Sequence, residues 1–228
     1  LEELRQHVSA KFSNNNFNFI DSFGDNVIEI SPKDVVPVLS HLKENCDFDI
    51  LMQIAGADYP EREKRFDVVY ELFSSKDFGR VRVKTSVSED ESVPTAIPVW
   101  RAANWFERET WDMYGIKFDG HPNLRRFLLH HQFVGYPLRK DYDADQQQHC
   151  TTAMPIHFED EYDYQPDPEK DLLPLNIGPS HPATHGTLRV MAELDGEKVN
   201  RANVELGFLH RCFEKMAETH PYNQVIPY

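Results

Sequence analysis

Two histidines four residues apart, His181 and His185, stand in the stretch LNIGPSHPATHG (residues 175–186), among Gly178, Pro179, Pro182 and Gly186. An imidazole titrates near neutrality, so one side chain can both donate a hydrogen bond to a carbonyl and deliver a proton to it. Prolines on either side limit the conformational freedom lost in holding such a ring in place. A metal would need a third ligand at suitable spacing, and none is near, so a metal site is not expected. Taken alone, the residues favour two loop histidines satisfied by local hydrogen bonds.

Three other groups could do chemistry. Glu107, Glu109 and Asp112 crowd into ERETWDMYG, which reads either as an acid–base or metal cluster or as a helix whose acids pair with Arg101, Arg108, Arg125, Arg126 or Arg139. With no His or Cys at ligand spacing on that helix, ion pairing is the expected role. His130 and His131 are neighbours in a loop, where rings are expected to point apart and serve a surface or interface. Arg211 has Glu214 and Glu218 in reach as helical partners, and Cys212 beside it reads as a small apolar residue. Cys46, Cys150 and Cys212 are odd in number and form no CxxC pair. Reduced thiols follow, with no disulfide framework and no zinc or iron–sulfur site built by this chain alone.

The elements that must position these groups follow from patterning. The 228 residues, 40% hydrophobic and 27% charged, suit one or two soluble domains. No apolar run reaches the roughly eighteen residues of a membrane span, and no signal peptide opens the chain. A net charge of −14 argues against nucleic-acid binding. Leu1–Phe12 has helical spacing, Val27–Ile30 reads as a strand, and Ser31-Pro32 opens a helix with Val35, Val36, Leu39 and Leu42 on one face, ending near Asn45. Phe48–Ala55 reads as a buried strand. Phe66, Val68, Tyr70 and Leu72 alternate, as do Val81, Val83, Thr85 and Val87, predicting an antiparallel hairpin. Ser88–Pro94 is a polar loop, and a helix from about Ile97 to Gly115 carries the carboxylates. The class is therefore α+β, a mostly antiparallel sheet with helices packed on one side.

Residues 141–171 hold ten acids against one lysine, nine of the fourteen net negative charges. This stretch, with prolines and no period, is expected to be an extended linker or wrapping arm. After it, Leu188, Val190 and Ala192 alternate with Arg189, Met191 and Glu193, and Asp195-Gly196 turns the chain, predicting a β-hairpin with the histidine loop at its mouth. Phe208, Leu209, Cys212, Met216 and Ala217 then repeat at three and four, predicting a helix that Pro221 ends.

ERETWDMYGIKFDGHPNLRRFLLHHQFVGYPLRKDY is similar, nearly residue for residue, to the signature of the C subunit of the proton-pumping NADH:quinone oxidoreductase, respiratory complex I. Phe127 stands where that family usually carries an aliphatic residue. LNIGPSHPATHG, LRVMAELDGE and LHRCFEKMAETHPYNQVIPY resemble the first part of the D subunit of the same enzyme, with Cys212 and His220 departing from its usual residues. The resemblance implies a C-like domain over 1–140, an acidic linker over 141–174, and the truncated start of a D-like domain over 175–228. It implies a place in the quinone-reducing module, as scaffold and one wall of the quinone site, with electrons arriving from an iron–sulfur cluster of a neighbouring subunit. His185 would contact the quinone, His181 would support the loop, and Arg211 would lie near that cluster, whose cysteines belong to the partner.

Implied partners are other peripheral-arm subunits, especially the cluster-bearing B-type subunit, and membrane-arm subunits, at the cytoplasmic side of the bacterial inner membrane. NADH oxidation and proton translocation would belong to other subunits, so the fragment alone is expected to be inactive. Two other readings stay open: the C/D-like large subunit of an energy-converting nickel–iron hydrogenase, and a non-catalytic assembly module.

Overall fold

In the computed structural model, residues 2–12, 17–144, 148–149 and 172–228 are described. They fall into two compact units, Leu1–Leu124 with Tyr136–Asp143, and Arg125–Gly135 with Ala144–Tyr228.

The first unit opens with helix α1 (Glu2–Lys11), the hairpin of β1 (Asn18–Ser22) and β2 (Asp25–Ile30), and a 3-10 turn at Pro32–Asp34. Helix α2 (Val35–Asn45) follows, then β3 (Ile50–Asp58), β4 (Phe66–Phe73) and β5 (Arg80–Val87). The sheet order is β1-β2-β5-β4-β3, antiparallel throughout except for the parallel pair β2–β5. The alternation of β4 and β5 produces the expected hairpin, in register from Phe66↔Val87 to Phe73↔Arg80. Its inner face buries Phe66, Val68, Tyr70, Leu72, Val81, Val83 and Val87 against Val35, Val38, Leu39 and Leu42 of α2. Each such side chain contributes about 1.5–3 kcal/mol by leaving water, so this layer dominates the unit's stability. Val38 rather than Val36 completes the buried stripe of α2, and Val36 packs at its margin. On the outer face Lys84 reaches Asp67 at 3.0 Å and Glu29 at 3.3 Å, and Ser86 donates to Asp67 at 2.6 Å.

Beyond the hairpin, β6 (Ser92–Pro94) pairs in parallel with β7 (Lys117–Asp119) across helix α3 (Ala103–Tyr114). The polar loop expected at Ser88–Pro94 therefore ends in a strand, too short to show a period. Helix α3 starts at Ala103, not Ile97, because Val99 and Trp100 both bond back to the Ala96 carbonyl in a turn around Pro98. Gly115 ends it at φ +79, where a Cβ would lie 2.5 Å from the Tyr136 ring.

The second unit holds β8 (Leu173–Ile177), β9 (Arg189–Asp195) and β10 (Lys198–Glu205), an antiparallel sheet ordered β10-β9-β8, then α4 (Phe213–Thr219) and α5 (Tyr222–Val225). The expected hairpin is present as β9–β10, and β8 is an added strand that begins inside the stretch assigned to the linker. Residues 150–171 of that stretch, Cys150 included, lie outside the described residues. Met191 and Ala192 are both buried, so β9 does not divide into one inner and one outer face. The helix expected from Gly207 begins only at Phe213. Gly207 (φ +90) and Cys212 (φ 48) are both left-handed, which no continuous right-handed helix tolerates.

Candidate functional site

The histidine loop connects β8 to β9, and its base is closed by backbone contact. At Gly178 (φ +95) a Cβ would sit 2.0 Å from the Leu188 carbonyl oxygen, so only glycine allows the two ends of the loop to approach this closely. Arg189 clamps the same base from the side. Its Nε donates to Asn176 Oδ1 on β8 at 2.9 Å, and its Nη1 lies 3.2 Å from Glu205 Oε2 on β10. Arg201 forks onto both carboxylate oxygens of Glu193 at 2.8 Å, locking β9 to β10. One guanidinium, that of Arg189, thus spans three strands under the loop.

Within the loop the two histidines differ. His181 is turned into the local backbone: its Nδ1 accepts the Ala183 N–H at 3.1 Å, and its carbonyl accepts the Thr184 N–H at 3.0 Å and the Thr184 hydroxyl at 2.8 Å. His185 is exposed, and its imidazole makes no hydrogen bond among the described residues. The loop therefore uses one imidazole to hold its shape and presents the other.

Arg211 is exposed and stacks over the Tyr228 ring at 4.8 Å, in place of the expected ion pair with Glu214 or Glu218. With His220, Asn223, Gln224, Pro227 and Tyr228 it lines an open depression of about 480 Å³, to which neither loop histidine contributes. Cys212 Sγ lies 3.6 Å from His210 Nδ1. The rings of His130 and His131 do not point apart; their centroids are 4.2 Å from each other, because Gln132 N–H binds His130 Nδ1 and turns that ring back over its neighbour.

Of the three helix carboxylates, Glu107 departs from its expected ion pairing. Glu107 is buried and binds no arginine; it accepts the Thr95 hydroxyl and the Ala96 N–H, each at 2.6 Å. Burial drives its pKa up to about 7, against the pull of those two donors. Asp112 is also fully buried. The basic cluster downstream is spent on structure: Arg139 Nε donates to the Tyr114 carbonyl at 2.6 Å and its Nη1 meets Glu89, while Arg126 donates to the Gly135 carbonyl at 2.7 Å.

A second clamp has no signature in the sequence. Asp58, buried at the end of β3, accepts Arg65 Nε at 2.7 Å, Arg65 Nη2 at 2.9 Å and the Lys140 N–H at 2.7 Å. Burial alone would raise its pKa, but the guanidinium and amide donors hold it below the ordinary carboxylate value. Arg65 continues to Asp141 at 2.8 Å, so the return segment is pinned to the sheet edge. Among the described residues no three His, Cys, Asp or Glu side chains gather at metal-binding distance, and no helix is long and apolar enough to cross a membrane.

Residues 28–148 match the family of the respiratory-chain NADH dehydrogenase 30 Kd subunit, and the chain belongs to that family. It is 62% identical, over its whole length, to the C/D subunit of the NADH-quinone oxidoreductase of Bdellovibrio bacteriovorus, of which it covers 41%. The C subunit of the NADH-quinone oxidoreductase of Xanthobacter autotrophicus is 42% identical over 71% of this chain and 75% of its own length. The chain thus corresponds to part of a complex I C/D fusion and spans about two fifths of the fused relative's length. The fold also matches a chain from the membrane-bound sulfane sulfur reductase, an archaeal respiratory membrane complex, with TM-score 0.51, 23% identity, and coverage of 63% of this chain and 85% of that one.

Proposed function

We propose that this chain is part of the quinone-reducing module of an NADH:quinone oxidoreductase, with the first unit as scaffold and the histidine loop as one wall of the quinone site. The observation that carries the reading is the division of labour between the two histidines. His181 fastens the loop, and His185 offers an imidazole uncommitted to any partner among the described residues. Reduction of a quinone to a quinol takes two electrons and two protons. His185 is placed to donate a hydrogen bond to one carbonyl oxygen and to pass it a proton. The loop's closed base at Gly178 and Arg189 limits the ordering needed when substrate arrives.

An iron–sulfur cluster held by a neighbouring B-type subunit would supply the electrons. Arg211, exposed and without an ion pair among the described residues, has the charge to favour the reduced form of such a group. This role fits a peripheral subunit on the cytoplasmic side of the bacterial inner membrane, in contact with membrane-arm subunits.

The test is His185→Ala in the full-length chain within the assembled enzyme. NADH:quinone turnover is expected to fall by about 10²-fold, the lower range for loss of a general acid. Electron transfer from NADH to an artificial acceptor that draws electrons upstream should be unchanged. Undiminished quinone turnover would remove His185 from the mechanism. His181→Ala should instead act through loop order, raising KM more than it lowers kcat.

A further inference from the structure

Strands β2 and β5 run parallel, so the turns that precede them lie at the same end of the five-stranded sheet. Both turns carry a phenylalanine where the backbone disfavours one. Phe23-Gly24 forms the two-residue β1–β2 turn with φ 56 and 92, positions that suit Asn and Gly. Phe78 occupies a left-handed position, φ 61, in the β4–β5 turn. Phe23 is fully exposed, and Phe78, whose ring lies 6.2 Å from that of Phe73, is still 76% exposed, so the rings return little burial to the fold in exchange for their strained backbone. Asp47 (φ 59), just before β3, shares this end through its bond to Lys76 at 2.5 Å. Three of the four non-glycine residues with positive φ among the described residues are gathered here.

At this end of the sheet lies a groove of about 590 Å³ whose walls include Leu4 and His7 of α1, Cys46 and Phe48 after α2, Asp77 of the β4–β5 turn and Arg80 at the start of β5. Acids outnumber bases around it, although Arg80 in its wall is a cation with no ion pair among the described residues. Lys76 is taken by Asp47, and Arg82 by Glu71 at 2.5 Å and Asp25 at 3.6 Å. Asp21, Asp49 and Asp77 have no ion pair among the described residues; they are held by the Gly24 N–H, by the N–H and hydroxyl of Ser75, and by the Gly79 N–H. The Ser75 N–H and hydroxyl keep the Asp49 carboxyl below the ordinary carboxylate pKa, and the Ser74 hydroxyl and Gly79 N–H do the same for Asp77.

We propose that this end of the sheet is a docking surface for a Lys/Arg-bearing segment of another protein chain, with Phe23 and Phe78 as its aromatic anchors. Exposed aromatic rings beside a groove are the residue type that dominates protein interfaces. Asp21 and Asp49, held in place without an ion pair among the described residues, complement a basic partner, and a guanidinium or ammonium group also binds the faces of the two rings. The surface needs nothing of the quinone chemistry, so its failure would leave the His185 reading untouched.

The test uses the full-length chain in its assembled complex. A photoreactive phenylalanine analogue at position 23 or 78 is expected, on irradiation, to join a different polypeptide at a peptide containing Lys or Arg. A double variant, Phe23→Asn with Phe78→Gly, places residues suited to positive φ at both tips. The chain should melt no lower than before, while its association with the rest of the complex weakens by about tenfold and becomes more sensitive to salt. Crosslinks confined to this chain, to a second copy of it, or to an acidic segment would overturn the proposal. So would absence of crosslinks, or a double variant that associates as tightly as the parent.

Discussion

The two units solve the problem of burial in opposite ways. The first encloses one continuous apolar core drawn from α1, α2, the six strands β2 to β7 and the start of α3. Of the buried hydrophobic side chains among the described residues, only Phe127, Leu129, Met191 and Ala192 belong to the second unit. That unit instead leaves Leu173, Val199, Leu209, Tyr222 and Ile226 largely exposed. Stability therefore resides in the scaffold, and the uncommitted reactive groups, His185 and Arg211, sit on the thinner structure. On the proposed function, the loop would gain from that arrangement in admitting its substrate, because local opening is easiest where few apolar contacts resist it.

Matched core truncations probe this contrast most strongly. Leu42→Ala should destabilise the first unit by about 3 kcal/mol in chemical denaturation, whereas Met191→Ala should cost about 1–2 kcal/mol. Equal losses would mean that the second unit is as tightly built as the first.

Next in size is Asp58→Ala, which leaves the Lys140 N–H without its acceptor and the Arg65 guanidinium held by Asp141 and Glu89 alone, and should cost about 1–3 kcal/mol. Asp58's lowered pKa gives stability that is complete above pH 3.8, its ordinary value, and is lost as pH falls through the folded value. Acid unfolding of the parent should thus be steeper below pH 4 than that of the variant.

The smallest effect, and of opposite sign, belongs to Glu107. Its folded pKa of about 7 exceeds the ordinary 4.5, so its contribution to stability is greatest below pH 4.5 and declines as pH rises to about 7. Glu107→Gln keeps an acceptor for Ala96 and offers an amide to Thr95. It should raise the melting temperature at pH 8, by the equivalent of about 1–2 kcal/mol, and change little at pH 4.5. A slope between pH 4.5 and 7 that survives in the variant would assign the titration to another group.

The strongly periodic elements were legible in the sequence for a physical reason: β4 and β5 alternate because one face is buried and the other carries charges. Strands β6 and β7 are three residues each and show no period. Strand β8 was hidden because Pro174 and the neighbouring acids resemble linker, and its pairing depends on β9 alone. The stretch 207–212 carries apolar residues at helical spacing, but left-handed backbone at Gly207 and Cys212 overrides that signal. Prolines and glycines marked the histidine loop, yet nothing local announced that Gly178 would touch Leu188 or that Arg189 would span three strands. Nor could spacing show that Glu107 would meet Thr95 rather than an arginine, since that contact is set by how a helix packs on a turn.

The parallel ladder between β2 and β5 has a consequence for how the chain finds its fold. The β1–β2 hairpin and the β3–β4–β5 meander each pair strands that are neighbours in sequence. Joining them pairs Asn26 with Val81 across α2 and two intervening strands. That ladder carries the largest loop-closure entropy of the sheet, and it is the contact least able to form before its neighbours are in place. The five strands are thus two locally connected modules, and the hydrophobic face of α2 packs across both and holds them together.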